Sequence, residues 1–336
     1  MTRTNTLTRM ISDFPLDVVI NVKDAPYSAV GNGVANDTTA LQSAIDDGNT
    51  SGIPVYLPSG TYLISTSLVY YTGTYIYGAG KTLSTIKGNN LTVPSFKTTN
   101  QATTRYYYPV FRDFEIDNQN RANVGAIGID LRNVSYARVR DMFFENIEMA
   151  VQLLTDNPAI GGSYYNIIEK NVISTVDFGI YEGAGCNSNA INYNKIGDSE
   201  NPITIGDTSN HNQVWGNECE VFTGTGLRLG SESEFNSIFA NRFENSPGPT
   251  GTGINEVSDA GWNFIGSQFF SGLSNNIVSA STTSIVLDPL HPFRIPAIAT
   301  ASLPAAADWK RGLVYDSTTN TLKFSNGSSW LVIATV

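Results

Sequence analysis

Apolar and polar positions alternate with a period of two through most of the chain, and between residues 166 and 263 one eight-residue phrase is written five times. It is an Asn, an aliphatic residue two places on, Asn or Gln at the sixth place and an apolar residue at the eighth. The copies are Asn166-Ile168-Asn171-Ile173, Asn189-Ile191-Asn194-Ile196, Asn212-Val214-Asn217-Cys219, Asn236-Ile238-Asn241-Phe243 and Asn263-Ile265-Gln268-Phe270, with starts 23, 23, 24 and 27 residues apart. Each copy but the last is followed within its period by a second short strand, marked by Ile180, by Ile203 with Ile205, by Leu227 with Leu229, and by Ile254. A fixed period of this size is the signature of a solenoid. No helix-period stretch separates the copies, and Gly and Asn corners restart a strand each time, so the pattern predicts an all-β parallel β-helix. Coils stacked about 4.8 Å apart place equivalent residues over one another. The aliphatic and eighth places then become inward columns, and the Asn places become ladders of side-chain amides. One coil cannot bury its own face, so both ends of such a stack need caps.

The flanks supply them. Residues 1–20 are polar, Thr-rich and aperiodic, an arm suited to attachment. In residues 21–100, Asn36-Asp37-Thr38-Thr39 precedes an apolar stripe of Ala40, Leu41, Ala44 and Ile45, which predicts one short helix ending near Gly48 and plugging the open end. Val55–Pro58, Thr61–Ile64 and Tyr75–Gly80 read as strands between Pro and Gly corners. Residues 101–290 are the body, in which two less regular coils (Phe111, Phe114, Ile116 with Ile127, Ile129, Leu131; Val139, Met142, Phe144 with Val151, Leu153) precede the five clear ones and the stack closes near Ile285–Leu287. Residues 291–336 begin as a Pro/Ala-rich linker. They end in three strands, Leu313–Tyr315, Thr321–Phe324 and Trp330–Ile333, a meander too small to stand without partners.

Charge narrows the partners. The net charge is −10 and no Lys/Arg cluster occurs, which argues against nucleic acid and against an anionic membrane surface. No apolar run approaches the roughly 18 residues of a membrane span, and residues 1–19 lack a signal-peptide core. Cys219 holds an inward eighth place and Cys186 a corner, so both read as unpaired buried thiols. With only His211 and His291, a His-based triad or metal cluster is close to excluded and no cofactor is expected. His211 reads as a turn residue.

Candidate chemistry follows from which polar residues share an outer row. Aligning the second strands by their inward residues places Asp130, Gln152, Tyr181, Thr204, Arg228 and Asn255 in one outward row. The acids that follow, Asp156, Glu182, Asp207, Glu232 and Asp259, would sit where the chain turns out. This predicts a groove with Glu182, Asp207 and Glu232 as the catalytic carboxylates and Tyr181, Arg228, Asp130 and Asn255 on the substrate. Carboxylates one or two coils apart suit glycoside hydrolysis, whereas a Tyr base with an Arg clamp suits a lyase. The bland alternative is a set of solvated corner acids.

The runs VKDAPYSAVGNGVANDTTALQSAID, VYLPSGTYLIS and IYGAGKTLSTIKG, spread over residues 20–90, resemble the opening segment of the pectate-lyase-like right-handed β-helix family, above all its branch of bacteriophage tailspikes and capsule depolymerases. The chain departs from that pattern in having Asn32 and Asn36 at usually acidic places. The resemblance, with the C-terminal meander similar to modules that end phage fibres, implies a homotrimeric tailspike-type enzyme that binds and cleaves a bacterial surface polysaccharide, located in a virion tail or outside the cell and attached through its N-terminal arm. A non-catalytic receptor-binding fibre domain and a secreted uronate lyase are the alternatives, and the motifs imply fold more directly than chemistry.

Overall fold

The computed structural model describes residues 18–100, 103–155, 157, 159, 161–245, 251–257, 259–281, 283–286, 297–310 and 312–335. The expected arm (1–17 of it), Asp156, Leu287 and most of the linker lie outside them.

The chain winds as a parallel β-helix. Eleven short strands, from Ile20–Asn21 through Ile167–Glu169 and Ala190–Asn192 to Ile285–Val286, stack in sequence order into one parallel sheet. The strands that follow them in each coil build a second sheet of 16 strands. In three successive coils, Phe143–Leu154, Val172–Glu182 and Lys195–Ile205, the two strands expected per coil run together as one long bent strand. The bend is a single left-handed residue, Asn146, Thr175 or Asp198, which turns the chain without interrupting the ladder. In the next coil Thr223-Gly224 separates Glu218–Phe222 from Thr225–Leu229, as the alternation implies.

Register confirms the columns. Ile168, Ile191, Val214, Ile238 and Ile265 lie over one another and are fully buried, as are Ile180, Ile203, Leu227 and Ile254. Two amide ladders flank the first column. Asn166 Nδ2 donates to Asn189 Oδ1 (3.0 Å) and Asn236 Nδ2 to Asn263 Oδ1 (3.0 Å); in the second ladder Asn171, Asn194, Asn217 and Asn241 each donate one coil onward, Gln268 Oε1 closing the series at 3.1 Å. Every laddered Asn also accepts a backbone N–H, so these buried amides are satisfied along the axis. Asn is needed because the residue before it turns in the left-handed region: Tyr165, Ser188, His211, Phe235 and Trp262 before the first ladder, and Lys170, Tyr193, Gly216 and Ala240 before the second, all have φ between 55° and 67° or, for Trp262, 54°. Such a turn costs a non-glycine residue on the order of 1 kcal/mol, and the amide that follows ties it down.

The plugging helix spans Thr38–Ser51, one turn beyond the expected end, and stops at Gly52 in the left-handed conformation. Gly48 lies inside it because a Cβ there would come within 2.9 Å of Val55. Leu41, Ala44 and Ile45 are buried, and Leu41 and Ile45 close over Val55, Leu57, Leu68, Ile76, Ile86 and Phe96. Asp37 does not cap the helix by its side chain; its carboxylate instead accepts from the Val30 and Gly31 amides at 2.7 and 3.0 Å. At the other end Leu313–Asp316, Thr321–Ser325 and Trp330–Thr335 form the expected antiparallel meander, joined on one edge by Ala297–Ile298. Both cysteines are free and buried.

Candidate functional site

The row is present in register, but Asp130, Gln152 and Thr204 in it are buried. Asp130, Gln152, Tyr181, Thr204, Arg228 and Asn255 are consecutive register partners. Its upper end is not open, however: Asp130 is 1 % exposed, beside Arg132 at 3.5 Å, so the expected substrate contact there is corrected to an internal ion pair. Tyr181, Arg228 and Asn255 are partly exposed. Arg228 lies 3.9 Å from Asp207, whose Oδ1 accepts the Ser231 amide, and Ser231 donates to Asp259. Glu232 is exposed on a left-handed corner.

Glu182 is a second correction. It pairs in register with Leu153 and Ile205 and is fully buried, as is Glu256 in register with Leu229. The strand continues through this place, and since side chains alternate, the residue after outward Tyr181 must point inward. Glu256 is satisfied there by Asn263 (2.9 Å), Ser279 and Ser284. The Glu182 carboxyl lies near Asn189, Asn212 and Ser209, yet neither oxygen has a partner at hydrogen-bonding geometry. Burial drives its pKa well above the ordinary range against the opposing pull of those neighbours, which favours the protonated form in the folded state. A carboxyl whose folded pKa lies above its unfolded value of about 4.3 loses stability as pH rises past that value. Glu182→Leu should therefore raise the midpoint of thermal unfolding by about 2 °C or more at pH 8, with a smaller gain at pH 4. A destabilised variant at both pH values would contradict this account.

A different set of acids comes together on the outer face of the long strands. Asp117 stands beside Glu145 in register, with Glu115 two residues along the same strand as Asp117. Glu145 is pushed up to about 7 by partial burial and by the charges of Glu115 and Asp117. No ion pair among the described residues reaches these three. Further down the same rows Lys195 and Arg242 neutralise Glu218 and Glu220, and Arg242 also Glu244. From Asp117 the chain leaves the coil as a loop. Asp117 Oδ1 accepts from Gln119 N (2.8 Å) and Asn146 Nδ2 (3.0 Å), and the returning Gly125 amide donates to Glu148. This loop carries Arg121 across the coils to Asp198 (3.3 Å) and Asp177 (3.8 Å). Beneath it is a shallow recess of about 230 Å³ lined by Arg121, Asp177, Asp198, Ser199, Glu200, Thr223 and Gly224. Phe178, next to Asp177, meets the Tyr181 ring edge-on at 5.7 Å, so the recess borders the Tyr181 row. The arrangement offers a carboxyl, Glu145, that holds its proton to near neutrality, a guanidinium held between acids, and a phenol. Among the described residues no group of His, Cys, Asp and Glu has the geometry to hold a metal ion.

Sequence reasoning missed Glu115, Asp117, Glu145 and Arg121. The signal for Asp117 and Glu145 was available, since each directly follows an inward residue of the eighth-place column (Ile116, Phe144) and must point out. Arg121 carried none, because its loop is placed only by tertiary contacts.

The pre-neck appendage protein of Bacillus phage phi29 is 41 % identical to this chain over 61 residues, and the glucan 1,3-β-glucosidase of Cochliobolus carbonum 38 % over 78 residues. These matches cover 18 and 20 % of the chain and only 7 and 10 % of those relatives. In fold, the chain is similar to the pre-mature bacteriophage phi29 gene product 12 (TM-score 0.57, 18 % identity, 76 % of this chain and 42 % of that one). It is also similar to the Dettilon tailspike protein (TM-score 0.50, 16 % identity, 84 % and 65 %). Residues 19–279, the plug and nearly all of the coiled body, match the sequence profile of rhamnogalacturonase A/epimerase, pectate lyase-like, and the chain therefore belongs to that family of β-helical proteins.

Proposed function

We propose that this chain is the glycan-recognising β-helix of a phage tail protein and that it processes a bacterial surface polysaccharide on the face that runs from Glu145 to Tyr181. The observation that carries the reading is Glu145, pushed up to about 7 by partial burial and by the charges of Glu115 and Asp117 on the same outer face, together with the recess spanned by Arg121. Glu145 and Glu115 lie on adjoining coils of one face, so they act as an acid/base unit beside the substrate rather than as acids flanking it. Arg121 would exchange Asp177 and Asp198 for an anionic sugar, a bidentate contact suited to a uronate or phosphate substituent. Asp207, Arg228 and Glu232, with Tyr181 and Asn255, extend the same face as a binding rim. The similarity to phage tail proteins supports virion association, and the small C-terminal sheet supports a homotrimer.

The test is incubation of the full chain with capsule, exopolysaccharide and lipopolysaccharide O-chain, reading reducing ends for hydrolysis and absorbance near 230 nm for β-elimination. Arg121→Ala should weaken apparent binding roughly tenfold or more, with a smaller change in turnover, since it removes a charge-assisted contact worth about 1.5–3 kcal/mol. Binding without cleavage by the native chain would identify a receptor-binding domain instead. An unchanged Arg121→Ala variant would remove the recess from the site.

A further inference from the structure

The corner before the first amide ladder holds an unexpected composition. Its left-handed residues are Tyr108, Tyr136, Tyr165, Ser188, His211, Phe235 and Trp262, and backbone hydrogen bonds between successive coils, such as Tyr108 N to Ser135 O and Tyr136 N to Tyr164 O, stack them in one column. Left-handed corners ordinarily favour Gly, Asn or Asp. Here the aromatic members Tyr108, Tyr136, Tyr165, Phe235 and Trp262 remain 40–52 % exposed. The result is an apolar ridge parallel to the axis of the solenoid, far from any need of the core.

We propose that this ridge is the seam along which a second copy of the chain packs, in register and parallel. Three observations select that occupant. First, the rings already cover one another's faces. Tyr108 and Tyr136 stack at 5.0 Å and 23°, Tyr136 and Tyr165 at 5.2 Å and 12°, and His211 and Phe235 at 5.3 Å and 20°. A sugar stacks its C–H groups on an open ring face, whereas these rings offer edges, which suit the flanks of other rings. Second, the ridge continues into the C-terminal unit, because Trp262 meets Trp309 at 6.5 Å. That unit ends in the edge strand Trp330–Thr335, where Leu331, Val332 and Ile333 are exposed on consecutive and therefore opposite faces. An apolar edge of this kind is paired or covered in a stable assembly. Third, a single column parallel to the long axis puts each ring at the same height in every copy, so an assembly around a parallel axis brings each position against itself. The seam gives the homotrimer proposed above its contact surface, and it does not depend on whether polysaccharide is cleaved.

Self-contact makes the test direct. Both native thiols are buried, so single variants Tyr136→Cys and Phe235→Cys of the full chain report on the ridge. Each should form interchain disulfides under mild oxidation at micromolar protein. Val221→Cys, on a left-handed corner of the second sheet with comparable exposure, should not. Sedimentation of the unmodified chain is run in parallel. A monomer would overturn both the seam and the assembly. An oligomer that cross-links at position 221 instead, or at none of the three, would overturn the seam and leave the assembly standing. Tyr136→Ser that keeps the native oligomeric mass but loses polysaccharide binding would mark the ridge as a glycan rail and overturn the proposal.

Discussion

Ile238→Asp is expected to cost the fold roughly 3 kcal/mol or more, the scale of a buried and unpaired charge. Ile238 sits in the fourth of five clear coils, with Val214 on one side and Ile265 on the other in the same fully buried column. It also lies between Asn236 and Asn241, one from each amide ladder. A carboxylate at this place would either ionise among aliphatic groups or take a proton at a cost that grows with pH. Any outward shift of the strand would strain both ladders at once. Stability in a solenoid accrues between neighbouring coils, so weakening one interface lowers cooperativity as well as the midpoint. Urea unfolding followed by far-UV circular dichroism reads both. A soluble variant with the native midpoint and slope would refute the register.

The second large effect is on chemistry. Glu145→Gln keeps the size of the side chain but removes the group that titrates near 7. Turnover on a polysaccharide substrate should fall by about 10² or more, the range lost with a general acid or base, while the variant stays folded. Native Glu145 holds its proton to about 7 when folded and to about 4.3 when unfolded. The folded state therefore binds more protons between those values, and its stability declines as pH rises through that window. In Glu145→Gln that decline should vanish, together with the limb of the pH–rate profile near 7. Full activity in Glu145→Gln and in Glu115→Gln would move the chemistry to the Asp207–Arg228 corner, where Asp207→Asn and Glu232→Gln are the variants to compare.

Much of the fold was legible because stacking turns sequence period into spatial register. The Asn at the head of each phrase announced a ladder, since a buried amide in a repeating coil can be satisfied by its own copy above and below. The columns through Ile180 and Ile238, the register of the row from Asp130 to Asn255, the plugging helix and the C-terminal meander all followed from alternation and punctuation. Alternation also forbids an exposed Glu182 once Tyr181 is outward, and treating the strand's last residue as a turn concealed that. Three things were decided only by tertiary structure. Asp130 was covered, because what lies over a sheet depends on packing from distant segments. Arg121 was carried to Asp177 and Asp198 by a loop whose path no local pattern specifies. The aromatic corner residues became a ridge because each left-handed turn aims its side chain the same way, coil after coil. Local period thus determined which residues stack and which face they take, and the long-range contacts of loops and corners decided which outward residues meet solvent, one another or a partner.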